Sequence, residues 1–76
     1  MILTIIVEKT DDGFEADIAS IKGCDAWAPS EEEALEKVTS SVKYYLSLPE
    51  NTKFKLDKTK DNFRVKVYKL IFDKLS

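Results

Sequence analysis

Histidine is absent from the 76 residues, and cysteine, methionine and tryptophan occur once each. Without histidine the chain lacks the commonest general base and the imidazole ligands of most zinc sites. A single cysteine cannot close an intramolecular disulfide, which fits a reducing, cytoplasmic setting. As a nucleophile Cys24 would have no histidine to activate it, and it reads instead as a small buried side chain beside a turn. Glycine is nearly as scarce. Gly13 and Gly23 stand alone, so no glycine-rich loop exists to cradle a phosphate. No apolar run approaches the roughly 18 residues of a membrane span. The opening MILTIIVEK has neither the basic start nor the small-residue cleavage site of an export signal.

What is present is enough for one domain spanning residues 1–76. Apolar residues make up 43% and charged residues 34%, the proportions of a folded chain. A chain this short buries a modest core, one sheet with one helix on it, and such domains often gain stability by self-association. The net charge of −2 hides an asymmetry. Residues 1–50 hold eleven acids against four lysines, whereas residues 51–76 hold eight basic residues against three aspartates. An acidic body of this kind steers basic partners by long-range attraction.

Residues 2–9 are rich in β-branched side chains and end at Thr10-Asp11-Asp12-Gly13, the pattern of a strand and a turn. Asp12-Gly13 suits the centre of a type I′ hairpin, with residues 14–21 returning. That register places Val7 opposite Ile18 and Ile5 opposite Ser20. Leu3, Ile5, Val7, Phe14, Ala16 and Ile18 then share the core face. The other face carries Ile2, Thr4, Ile6, Glu8, Glu15, Asp17 and Ala19, with Glu8 beside Asp17. Strand one is therefore apolar on both sides, as central strands are.

Residues 25–28 make a short third strand that Pro29 stops. Ser30-Glu31-Glu32-Glu33 is a capping box opening a helix over about 31–47, with an apolar stripe of Ala34, Leu35, Val38, Val42, Tyr45 and Leu46. Residues 50–61 are polar and lysine-rich, and Phe54 and Leu56 either form a short strand or pin a loop. Residues 62–70 alternate as a last strand, with Phe63, Val65 and Val67 inward and Arg64, Lys66 and Tyr68 outward. The fold class is α+β, in the order β-β-β-α-β. It is an antiparallel three-stranded meander with one helix on one face. A helix between two strands predicts a crossover that leaves the last strand parallel to the first. The uncovered face is the natural contact surface.

Asp12-Gly13-Phe14, Gly23-Cys24 and Ser30-Glu31-Glu32-Glu33-Ala34, in this order and spacing, resemble the HicB-like antitoxins over residues 1 to about 48. Lys22 stands where the family usually has proline, and Ala28-Pro29 where it usually has glycine. The resemblance implies a truncated, partial RNase H-like fold without the nuclease. It also implies a partner, a small basic RNA-cleaving toxin of the HicA type. Many members add a DNA-binding segment; this chain is expected to have no separate DNA-binding domain and to bind no DNA directly.

The acids do not read as a catalytic or metal-binding set. Glu31, Glu32 and Glu33 already serve the positive end of the helix dipole, and the strand acids are spread over the surface. No catalytic residue, metal or cofactor is therefore expected. Partner contacts are assigned to Glu8, Glu15, Asp17, Asp25 and Trp27, since tryptophan is enriched among residues that dominate interfaces. Ile2 and Ile6 on the open face, with Tyr68 and Phe72 near the C-terminus, are assigned to a homodimer or higher homo-oligomer. Three alternatives remain: a solitary HicB-like interaction domain, a nucleic-acid-binding module using the basic segment from Lys53 to Lys69, and a degenerate RNase H-like enzyme.

Overall fold

The computed structural model describes residues 2–62 and 64–72. Its elements are β1 (Ile2–Lys9), β2 (Phe14–Ile18), β3 (Asp25–Ala28), α1 (Glu31–Tyr45), β4 (Lys55–Asp61) and β5 (Val65–Ile71). The five strands form one sheet in the order β3-β2-β1-β5-β4. The α+β class holds, and β1 lies at the centre as its two apolar faces imply.

Three features differ from the sequence reading. β5 runs antiparallel to β1, where a parallel last strand was expected. The cause is β4, a strand the polar segment 50–61 conceals. The chain leaves the helix, runs out along the far edge as β4 and folds back as β5. One extra pass reverses the direction of the last strand, so the whole sheet is antiparallel.

The β1–β2 hairpin is also shifted by two residues, pairing Ile5 with Ile18, Val7 with Ala16 and Lys9 with Phe14. Thr10 N–H donates to the Gly13 carbonyl at 2.8 Å, so Asp11-Asp12, not Asp12-Gly13, occupy the turn centre. Neither aspartate nor Gly13 has a positive φ, which excludes the type I′ turn. An even shift preserves the faces, and Leu3, Ile5, Val7, Ala16 and Ile18 are buried as expected.

The third difference is the facing of β5. Tyr68 pairs with Ile5 and Leu70 with Leu3, so Lys66, Tyr68, Leu70 and Phe72 share the helix side while Val65 and Val67 face away. Phe63 lies outside the described residues, as do residues 73–76.

The core sits between the sheet and α1. Ala34, Val38 and Val42 are buried against β1–β3. Tyr45 is half exposed, with its hydroxyl donating to the Gly23 carbonyl at 3.3 Å. The backbone of α1 does not come close to β4 or β5. The segment after the helix covers β5 instead: Leu46, Leu48 and Phe54 pack on the core. Phe54 meets Phe72 edge to face at 5.1 Å, and the Lys43 ammonium lies 5.4 Å from the Phe54 ring, a geometry that favours both contacts.

Both helix ends are satisfied. Ser30 Oγ accepts from the Glu33 amide at 3.2 Å, the hydroxyl half of the predicted box. At the other end Leu48 N–H donates to the Lys43 carbonyl and Ser47 N–H to the Tyr44 carbonyl, the two bonds of a Schellman motif. This motif places Ser47 at φ 54°, where a Cβ is unfavourable. Ser47→Gly is expected to raise stability by about 1 kcal/mol and the thermal midpoint by about 4–8 °C, measured by circular dichroism melts.

Candidate functional site

Among the described residues, the sheet face opposite α1 carries no other element. Strand register lays its side chains out in rows. One row holds Trp27, Glu15, Glu8 and Val65, and the next Asp25, Asp17, Ile6, Val67 and Lys60. Thr4, Lys69 and Asp57 form a third, and Ile2, Ile71 and Lys55 a fourth. The face thus has three zones. Acids occupy one end of β1–β3, aliphatic side chains lie on β1 and β5, and lysines lie on β5 and β4, with Lys60 at the far end of the Asp25–Asp17 row and Lys69 and Lys55 in the rows beyond it.

The partner contacts assigned from sequence do come together. Glu8, Glu15, Asp17 and Asp25 are exposed on this face. The shifted hairpin replaces the expected Glu8–Asp17 neighbours with Glu8 opposite Glu15, and the β2–β3 pairing adds a second like-charged pair, Asp17 opposite Asp25. None of the four forms an ion pair with a cation among the described residues. Directly opposed like charges cost roughly 0.2–1 kcal/mol per pair, so the arrangement is maintained against its own repulsion.

Trp27 borders these acids and is 43% exposed. Its indole lies over Gly13, and its N–H donates to Thr10 Oγ1 at 3.3 Å. This explains the turn shift. A Cβ on Gly13 would overlap both the Trp27 ring and the Ala28 carbonyl oxygen, so the glycine is required beneath the tryptophan and not at the turn centre.

The self-association set divides. Ile2, 63% exposed, and Ile6 lie on the open face. Tyr68 and Phe72 do not: both are buried on the helix side, because the β5 pairing with β1 puts the even-numbered positions under the core. The residues that do join Ile2 and Ile6 are Val65, Val67 and Ile71. Their signal was in the sequence, since β5 is apolar on both faces as β1 is.

The most strongly perturbed groups lie on the other side of the sheet. Glu31, in the first turn of α1, accepts from Lys66 Nζ at 2.6 Å and from the Tyr68 hydroxyl. Burial opposes ionisation of Glu31, but these bonds and the charges of Lys66 and Lys58 outweigh it and hold the carboxyl below its ordinary range. The bond to Glu31 holds Lys66 above its ordinary value. Burial, then the Glu31 bond and charge, push the Tyr68 phenol up. The cluster fastens the helix start to β5, which α1 itself does not cover. Cys24 is fully buried, and burial with the charges of Asp17 and Asp25 pushes its thiol up, the setting of an unreactive cysteine.

Among the described residues no three potential ligands converge on a metal position, and no helix is long and apolar enough to cross a membrane. A depression of about 500 Å³ lies at the helix end, lined by Ser40, Lys43, Tyr44, Leu48 and Glu50. No family model, curated protein or solved structure matches the chain.

Two outcomes follow from this geometry. Gly13→Ala is expected to cost about 1–3 kcal/mol and to shift the fluorescence of the sole tryptophan as its ring is displaced. Because the Glu31 carboxyl is depressed in the folded state, its contribution is complete above the ordinary value of 4.5 and lost as pH falls through the folded value. Glu31→Gln is expected to lower stability by about 1–2 kcal/mol at pH 7, with the gap to wild type closing below pH 4.5 in denaturant titrations.

Proposed function

We propose that this chain is a non-catalytic, cytoplasmic protein-binding domain that docks a basic partner on the acidic corner of its open sheet face. One observation carries the reading: Glu8, Glu15, Asp17 and Asp25 stand together, without cationic partners among the described residues, beside a half-exposed Trp27. Partner cations would relieve the repulsion that these four carry in the free protein. The tryptophan offers the rigid, amphipathic anchor common at interface centres. Carboxylates beside an aromatic suit a lysine- or arginine-rich protein surface and disfavour a phosphate backbone.

The partner implied by the resemblance is a small HicA-type toxin. On this reading the acidic corner covers the toxin's RNA-binding surface and blocks its substrate. The supporting motifs lie in residues 1–48, the part that builds the acidic corner. The antiparallel β5 departs from the partial RNase H-like topology that the resemblance implies.

The test is recovery of partners on the tagged chain from its source cells, compared with Glu8→Lys/Asp17→Lys. The expected result is one small basic protein in stoichiometric amount, bound at least tenfold more weakly by the variant, and an RNA-cleaving activity in that protein that the wild-type chain suppresses. The variant should be folded and no less stable, because it removes like-charge repulsion. Equal partner affinity in the folded variant would sink the assignment. Retention of RNA in place of protein, fading steeply with salt, would favour the nucleic-acid alternative.

A further inference from the structure

The open face is self-complementary. Its acidic corner lies on β2 and β3, its lysine corner on β4 and β5, and its aliphatic zone between them. At the lysine corner Lys55, Lys60 and Lys69 outnumber Asp57. A two-fold axis lying between two such faces, perpendicular to the line joining the corners, exchanges them. The acids of each copy then meet the lysines of the other, and Ile6 and Val67 of both copies lie near the axis. An isologous contact requires this property of a surface.

We infer that two copies of this chain pack sheet face to sheet face about such an axis, and that the lysine corner of one copy occupies the acidic corner of the other. Size sets the strength. Strand spacing and rise give a face of roughly 500 Å² per copy, or about 1,000 Å² in total, at the threshold of specific interfaces. The dimer is therefore a weak, exchanging one. It uses the acids assigned above to the basic partner, so, granting that reading, the chain's own lysines compete with the partner and a free domain is held in reserve as a dimer.

The alternative ways to self-associate are less well supplied. The outer edge of β4 carries lysines and a bulge at Thr59, where register shifts between Lys58 and Lys60, and both features discourage strand addition. The helix side is closed by residues 46–54.

Sedimentation equilibrium of the full chain tests the inference without any partner. The apparent mass is expected to climb from 8.7 kDa toward twice that value across micromolar to millimolar concentrations, and to fall again with added salt. Asp17→Lys/Asp25→Lys and Lys55→Glu/Lys60→Glu are each expected to weaken self-association at least tenfold. An equimolar mixture of the two variants should dimerise again, since each supplies the charge the other now lacks. Misfolding or general stickiness would not produce that restoration. A monomer at millimolar concentration, or a mixture no more associated than its components, overturns the dimer. The partner reading is judged separately, by recovery on the wild-type chain, and survives that result.

Discussion

A single helix cannot cover five strands, and the remaining features of this domain follow from that mismatch of width. An α-helix with side chains is about 10 Å across, whereas five strands span roughly 19 Å. α1 covers β1–β3 and leaves β5 to be closed by other means. The chain does this with Leu46, Leu48 and Phe54, and with Glu31 reaching from the helix start to Lys66 and Tyr68. Among the described residues, the second face has no cover.

Seen in that light, the three glutamates opening α1 are not equivalent. All three favour the positive end of the helix dipole, but only Glu31 has turned toward the sheet, where two donors compensate its burial. The acids of the open face have no such compensation. Glu8/Glu15 and Asp17/Asp25 oppose like with like, and a domain of this size has only a modest net stability to set against such repulsion.

The legible parts of the fold were those with a local signal of their own. β1 and β2 announced themselves by alternation, α1 by Ser30 and its stripe, and β3 by its position before Pro29. An even register error left every core residue of β1 and β2 on its proper face, which is why the acidic residues and Ile2 and Ile6 were placed correctly while their cross-strand neighbours were not. β4 was concealed because it has almost no apolar content. Its seven residues are exposed, and it exists by pairing with β5 along one edge, a tertiary effect that propensity does not record. The errors in β5 follow partly from that omission: without β4 the crossover rule made it parallel. Its facing was ambiguous because both of its sides are apolar, and Glu31, 37 residues away from Tyr68 in sequence, helps decide between them. Trp27 was legible as a candidate but not in its support, since nothing local in Gly13 reveals that it lies under an indole.

Charge segregation along the chain becomes charge segregation across the sheet because of the same hidden strand. Four acids of the first half, Glu8, Glu15, Asp17 and Asp25, fall on the open face of β1–β3, and Lys55, Lys60 and Lys69 fall on that of β5 and β4, toward opposite edges of one continuous face. Had the polar segment remained a loop, its lysines would have been free to fold over the acids within one chain and neutralise them locally. Pairing of β4 at the far edge of the sheet holds Lys55 and Lys60 three to four strands from Asp17 and Asp25, a separation of roughly 14–19 Å. That exceeds the Debye length of about 8 Å at physiological ionic strength, so the two corners are electrostatically independent within a molecule. Among the described residues, neither corner therefore neutralises the other within one molecule.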